Sequence, residues 1–273
     1  MALATSARHP ALHEAERLVL GPLAGAGVDA EPQVWDDAGV DWSSYDLVVV
    51  RSTWDYTLRR EEFLAWAEAV PRLANPAPVL RWNTDKRYLA ELAAVGLPVV
   101  PTVFVAPGEA YEPPAYEHVV KPTVSAGARD TRRFAAGQDS SAHAEGLLAA
   151  GRSVMVQPYQ AAIDDAGETA VLSFLGRHSH AARKAPVLAP DLADPDEVAI
   201  TPAQATAAEL EVAQAVLAAV PWSAPLLYAR VDLVPGPAGS PVLMELELTE
   251  PSLFLADAPV AAERFAAAIA ELL

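Results

Sequence analysis

The sequence predicts an α/β protein built from α+β subdomains. Three features carry that prediction. Strand-like and helix-like segments alternate from end to end of the 273 residues. Residues 1–80 form a small open α/β unit that closes on Asn75-Pro76-Ala77-Pro78, a linker signature. Late in the chain, Leu226 to Val234 and Val242 to Leu248 read as a strand pair joined by Pro235-Gly236-Pro237-Ala238-Gly239.

In order, Ala2 to Thr5 is a short first strand, and about Pro10 to Ala26 a helix closed by Gly27. Val28 to Trp35 reads as a second strand. Leu47 to Arg51 is an apolar β-branched run bounded by Asp46 and Ser52, as a buried parallel strand requires. Arg60 to Val70 is a helix stopped by Pro71. A further helix is predicted over Thr84 to about Val95, with Asn83 as N-cap, Gly96 just past its end and Pro98 beyond. Strands follow at Val99 to Val105, His118 to Lys121, Ser153 to Gln157, Glu168 to Leu175 and Ser179 to Lys184. Thr201-Pro202-Ala203-Gln204 has capping-box spacing and predicts a helix running to Pro221. An amphipathic helix over about Val260 to Leu272 comes last.

Composition narrows the function. Hydrophobic residues at 52% and charged residues at 20% support a packed core rather than disorder. A net charge of −17 repels nucleic-acid phosphates and anionic membranes, so neither is an expected partner. With no cysteine, disulfides, thiolate metal sites and a cysteine nucleophile are excluded. No signal-peptide core or membrane-length apolar run is apparent, and a cytoplasmic protein is expected. An anion site in so acidic a chain must be a local island of cations. The three lysines among nineteen Lys and Arg residues, Lys86, Lys121 and Lys184, are the first candidates. A lysine holds phosphate as a compact point charge.

Four segments could carry chemistry. Arg230 and Asp232 share one strand face, as do Glu245 and Glu247 on the apparent partner strand. Three carboxylates gathered on one sheet face repel one another unless a cation lies between them, and hard oxygen ligands suit Mg2+. An exposed acidic face would give the same pattern. Lys121 ends a strand and Ser125, Ala126 and Gly127 follow in a loop small enough to bring backbone N–H groups to a phosphate. An ordinary βα turn reads alike, and neither the P-loop nor the GxGxxG pattern is present. Gln157-Pro158-Tyr159 is a connector suited to an adenine edge, with Asp164 placed for ribose hydroxyls, though a simple strand-ending turn fits as well. Arg51, Ser52, Thr53, Trp54, Asp55 and Tyr56 follow the carboxyl end of a buried strand, where ligands gather in open α/β sheets.

The order of these signals resembles the ATP-grasp superfamily across essentially the whole chain. The resemblance implies an ATP-grasp fold with an N-terminal open α/β pre-ATP-grasp domain. Its divisions would be residues 1–80 on the substrate side, 81–156 as the small subdomain and 157–273 as the large subdomain with the metal site. It further implies ATP and Mg2+ as cofactors. Lys86 and Lys121 would be the nucleotide lysines, Ser125 to Gly127 the loop over the phosphates, and Gln157 to Tyr159 the adenine hinge with Asp164 on ribose. Asp232, Glu245 and Glu247 would ligate magnesium. Glu247 departs from the pattern, since many members carry Asn there. The strings Arg-Ser-Thr-Trp-Asp-Tyr, Ser-His-Ala-Ala-Arg-Lys and Glu245 to Phe254 resemble the branch containing the cyclo-ligase that closes O-ureidoserine to cycloserine.

On that reading a carboxylate takes the γ-phosphoryl group and a nitrogen nucleophile displaces phosphate. Lys184, Arg183 and Arg230 would meet the developing charge. Arg51 or Arg230 would clamp a carboxylate on a small amino-acid-like substrate. Thr249 to Ser252 would offer backbone N–H groups near the transferring phosphoryl. His180 reads as structural, with proton transfer as its other role. A small-molecule kinase and a non-catalytic nucleotide binder are the rival readings. Homodimers are common for such folds, but no apolar stripe for one can be read from the sequence.

Overall fold

The computed structural model describes residues 1–188, 198–258 and 260–273. Strands β1 (Ala2–Thr5), β2 (Glu31–Val34), β3 (Val48–Val50) and β4 (Leu73–Ala74) form a parallel four-stranded sheet in the order β2-β1-β3-β4. Ala2 to Ala4 and Val48 to Val50 are buried, which is why these short runs are continuous in apolar residues. Helices α1 (Leu20–Gly25) and α2 (Arg60–Ala69) cover this sheet. The predicted first helix is instead a 3-10 segment, Glu14–Val19, running into the short α1. Pro22 sits in the first turn of α1, where its missing N–H costs nothing.

The expected linker is the start of a helix. Pro76 precedes α3 (Ala77–Asn83), and α4 (Tyr88–Ala94) follows after a short turn. Asn83 therefore ends one helix rather than capping the next. Its amide nitrogen donates to the carbonyl of Leu246 at 2.8 Å, and its oxygen accepts from the N–H of Leu248 at 2.7 Å. Lys86 lies in the turn between the two helices, and its backbone N–H donates to Thr123 at 2.9 Å.

A second sheet has the antiparallel order β5-β8-β6-β7, from β5 (Val103–Val105), β6 (His118–Pro122), β7 (Arg132–Phe134) and β8 (Val154–Pro158). Helix α5 (Ser141–Ala149) packs on its inner face through Ala144 and Leu147. Strand β7, α5 and the one-turn α6 (Ala162–Ala166) carry weak local signals and were not among the sequence expectations.

The third sheet, β11-β10-β9-β12-β13, contains β9 (Glu168–Phe174), β10 (Arg177–Lys184), β11 (Ile200–Ala203), β12 (Tyr228–Pro235) and β13 (Pro241–Glu247). The predicted capping box at Thr201 is wrong, because Thr201 and Pro202 pair with Arg183 and Ala182 in β11. The box that forms is Thr206 with Glu209, at the start of α7 (Ala207–Ala218). Helix α8 (Ala261–Ala270) buries Phe265 and Ile269 in a core that also holds Leu3, Val49, Phe174 and Tyr228. Packing thus crosses the expected domain divisions, joining the first sheet to the third. Among the described residues, no helix is long and apolar enough to cross a membrane.

Candidate active site

The third sheet sets the charged end of the site. Strands β12 and β13 pair so that Asp232 lies opposite Glu245 and Arg230 opposite Glu247. Lys184 lies opposite Glu168 on the β10–β9 ladder, and β9 adjoins β12, which brings Lys184 onto Asp232. The carboxylates gathered on this face are therefore answered by cations of the same sheet. Arg230 grips Asp232 with Nε–Oδ1 and Nη2–Oδ2 distances of 2.9 and 2.9 Å, and also pairs with Glu247. Lys184 contacts Asp232 at 2.7 Å and pairs with Glu168.

The electrostatics follow from this arrangement. Burial alone would raise the Asp232 carboxyl, but Arg230 and Lys184 overrule it and hold the group far below the usual carboxylate range. Burial pulls against the Lys184 ammonium, yet Asp232 and Glu168 keep it well above an ordinary lysine. Glu247 is pushed up to about 7 by burial and by Glu245 and Asp232, despite Arg230. Glu250, buried beside Glu247 and facing the Tyr56 hydroxyl, is pushed up to about 8.

A cavity of about 880 Å³ opens over this face. Its volume falls in the range of small-molecule sites. Lys86, Lys121, Lys184 and Arg230 reach it, as do Glu168, Glu245, Glu247 and Glu250. The ammonium of Lys86 donates to the Ser125 carbonyl at 2.7 Å and meets Glu245 at 3.1 Å. Lys121 is lowered by burial, a cation held without a close anionic partner among the described residues. Ser125, Ala126 and Gly127 form one wall of the cavity. Gly127 sits at φ 61° and Ala128 at φ 53°, a left-handed pair that turns the loop where it lines the cavity. Gln157, Pro158 and Tyr159 line another wall, with the Gln157 amide fixed on Thr102 at 2.9 Å. Ser252 lines it too, and its carbonyl accepts from Arg230 at 3.2 Å.

Several expected residues lie elsewhere. Arg183 alternates with Lys184 and points off the cavity side, packing on Gly167 and within the field of Glu209. Asp164 is outside the cavity wall, engaged by the Tyr159 hydroxyl and by Arg133 at 3.5 Å. Arg51 is 1% exposed, bound to Glu16 at 2.6 Å and to the Pro251 carbonyl at 2.7 Å, so it cannot clamp a substrate. Ser52 and Thr53 are fully buried, and Asp55 is held by Trp35 and Arg59. Of that loop, Trp54 and Tyr56 reach the cavity. His180 is half-buried, with its ring nitrogens on the Ser179 hydroxyl and the Leu253 carbonyl at 2.9 and 2.8 Å. Glu168, Glu250, His9 and His13 were missed. Glu168 was legible in principle, as the strand position that alternation and register place against Lys184.

The donor set suits a divalent cation at two of the three expected acids. Glu245 and Glu247 face the cavity, and burial together with the neighbouring carboxylates raises Glu247, so a cation bound between them would favour its charged form. Asp232 shares this sheet face but is fully buried, with its oxygens spent on Arg230 and Lys184. Among the described residues, no three acidic or imidazole side chains are arranged around one point as a preformed metal site. Phosphate oxygens would have to complete the shell.

Comparison with known proteins decides the family. Residues 1–75 match the family model of the N-terminal domain of the D-cycloserine synthetase DcsG. The cycloserine biosynthesis protein DcsG of Streptomyces lavendulae is 42% identical over 276 residues, covering 90% of this chain and 90% of that protein. The chain belongs to the DcsG family of ATP-grasp ligases. The crystal structure of D-cycloserine synthetase DcsG superposes with a TM-score of 0.89 at 40% identity, covering 100% of this chain and 99% of that one. More distant structures share the fold: the D-alanine–D-alanine ligase of Bacillus anthracis has a TM-score of 0.69 at 13% identity, covering 99% and 96%. The ATP-grasp ligase PsnB follows at 0.64 and 17%, covering 100% and 97%. The chain is therefore an ATP-grasp ligase, as its motif order implied.

Proposed function

We propose that this ligase closes an amino-acid-like substrate on itself, joining its carboxylate to its own nitrogen in a cycloserine-type ring at the expense of ATP. The likeness to DcsG over nearly the full length of both chains carries this reading. The cavity supports it, since lysines and backbone loops suited to phosphates share one chamber with an aromatic wall suited to a small organic substrate.

Lys86 and Lys121 would hold nucleotide phosphates as point charges, with the Ser125 to Gly127 loop closing above them. Gln157 to Tyr159 would receive the adenine edge. Glu245 and Glu247 would hold Mg2+, which supplies charge neutralisation between phosphate groups. The substrate carboxylate attacks the γ-phosphorus to give an acylphosphate and ADP. The substrate nitrogen then attacks the acyl carbon, phosphate leaves, and the nitrogen proton passes to solvent or a neighbouring base. Lys184, fixed by Glu168 and Asp232, meets the charge on the transferring group, and Arg230 flanks it beside Ser252. Such a reaction belongs in the cytoplasm, where ATP is abundant.

The test is ADP release with O-ureidoserine and a panel of amino acids, with and without hydroxylamine. Hydroxamate formation is the expected outcome, because it traps the acylphosphate. ADP release that yields a stable phosphorylated product and no hydroxamate would make the protein a small-molecule kinase.

A further inference from the structure

The outer edge of β13 is closed in two different ways. Around Leu243 it meets backbone: the Leu243 N–H donates to the Pro98 carbonyl at 2.7 Å, and the Val100 N–H donates to the Leu243 carbonyl at 3.0 Å. Farther along, where the strand carries Glu245 and Glu247, no strand among the described residues pairs with this edge. Alternate residues of an edge strand turn their N–H and C=O groups outward. Here those residues are Leu246 and, just past the strand's end, Leu248.

Two side chains that flank the turn between α3 and α4 take the place of a strand. The Tyr88 hydroxyl donates to the Leu246 carbonyl at 2.8 Å and accepts from the Leu246 N–H at 2.9 Å. One hydroxyl thus closes both outward groups of one residue, as a ladder partner would. The Asn83 amide bridges the same carbonyl, at 2.8 Å, to the Leu248 N–H, at 2.7 Å. Tyr88 is 1% exposed and Asn83 7%, so the backbone groups they meet depend on them rather than on water. Lys86 lies between the two in sequence, and its ammonium meets Glu245 at 3.1 Å. Its backbone N–H donates to the Thr123 carbonyl at 2.9 Å, which anchors the turn beside the Ser125 to Gly127 loop.

We infer that Asn83 and Tyr88 are positioning residues that place the Glu245 and Glu247 carboxylates for a divalent cation. This rests on the reading above that those two acids hold Mg2+. Both residues act through the backbone of Leu246 and Leu248, not by contact with the cation. Glu245 and Glu247 flank Leu246, so whatever fixes that residue fixes the spacing and direction of both carboxylates. Mg2+ demands near-ideal octahedral geometry, and a small drift of its ligands costs affinity. Groups that orient metal ligands are accordingly part of the site although they never touch the ion. Because side chains do the pairing, the turn between them is free to bring Lys86 onto Glu245, where a flanking strand would place backbone.

The test uses the full chain as Tyr88→Phe, which deletes the hydroxyl and keeps the ring, and as Asn83→Leu, which keeps the side-chain volume. Leu92→Ala truncates a residue of the same core without removing a hydrogen bond, and controls for lost stability alone. Mn2+ binding to the ADP complex, read by electron paramagnetic resonance, is expected to weaken about 10–100-fold in Tyr88→Phe and Asn83→Leu. ADP binding without metal is expected to stay nearly unchanged, since Lys86 and Lys121 remain in place. Amide hydrogen exchange in the metal-free protein is expected to speed up over residues 243–250 ahead of the other strands. Parent-like Mn2+ affinity in either folded variant would strike that residue from the assignment, and in both would overturn it. An equal loss in Leu92→Ala would also overturn it, because lost stability would then account for the effect. Should one of the two variants fail to fold, the other decides. A parent that takes up no Mn2+ with ADP would remove the metal reading and the assignment with it; normal uptake by parent and variants alike removes the assignment alone.

Discussion

Arg51 donates from Nη2 to the carbonyl of Pro251 at 2.7 Å, joining positions two hundred residues apart in the chain. The same guanidinium meets Glu16 at 2.6 Å and lies 5.2 Å from the centre of the Tyr228 ring. It therefore ties the N-terminal unit to the loop that follows β13, which carries Glu250 and Ser252. Removing one partner of a buried pair leaves the other charge stranded. Arg51→Met should lower unfolding free energy by about 3–5 kcal/mol in urea denaturation, on the scale of other broken buried pairs. The double variant Arg51→Met, Glu16→Leu should recover much of that loss. An equal loss in both would show that the Pro251 contact, not the ion pair, holds the fold.

The acids of β12 and β13 divide into two jobs. Glu245 and Glu247 face the cavity, whereas Asp232 is buried among Arg230 and Lys184. Glu247→Gln should raise the Mg2+ concentration needed for half-maximal ADP release by about 10–100-fold, with little change in stability. Asp232→Ala should instead cost about 3–5 kcal/mol of stability, since two buried cations lose their anion. Magnesium titrations of turnover alongside urea denaturation of both variants separate the roles. Matching profiles would remove the distinction.

What the sequence made legible was local. Alternation along Arg230 to Asp232 and Glu245 to Glu247 placed those side chains on shared faces, because a strand repeats every two residues whatever it packs against. The same rule, applied to Arg183-Lys184, would have kept only Lys184 for the cavity. Partners distant in sequence were not legible. Thr201-Pro202-Ala203-Gln204 and Thr206 to Glu209 both have capping-box spacing, and pairing with β10 turned the first into a strand. Asn83 looked like a cap, but its amide is matched to the backbone of Leu246 and Leu248. Arg51 looked like a ligand group because a cation after a buried strand is conspicuous, and nothing nearby announced Glu16. His9 and His13 lie in a turn without periodicity, and only folding brings them to Trp54.

Lys184 depends on Glu168 for its position. The two are register partners on β10 and β9, and Glu168 is raised above an ordinary glutamate by burial even with Lys184 beside it. Glu168→Gln keeps the shape but loosens the ammonium. It should lower kcat about tenfold while leaving the KM for ATP within about twofold, since the interaction it supports is made in the transition state. Steady-state ADP release checks this. A rise in the KM for ATP with unchanged kcat would move Lys184 to ground-state nucleotide binding.

Lys121 offers a prediction in pH. Burial lowers its affinity for a proton, and the attraction of Glu245 only partly offsets this. The folded state thus binds a proton at this site less tightly than the unfolded chain, whose lysine titrates near its ordinary 10.5. Where the unfolded state binds more protons, stability rises with pH. The destabilising effect of Lys121 is therefore greatest below its folded-state value and fades as pH climbs toward 10.5. Lys121→Met removes it, and Glu245 keeps Lys86 as a partner at 3.1 Å. The variant should be more stable than the parent at pH 7, with the gap closing as pH rises through the alkaline range. It should also raise the KM for ATP by about 10–100-fold, as expected for a lost charge-assisted contact to phosphate. Urea denaturation at pH 7 and pH 10, paired with ATP titrations at pH 7, measures both. A variant less stable than the parent at pH 7 would mean that Lys121 is bound to an anion of the fold and not held in reserve for the nucleotide.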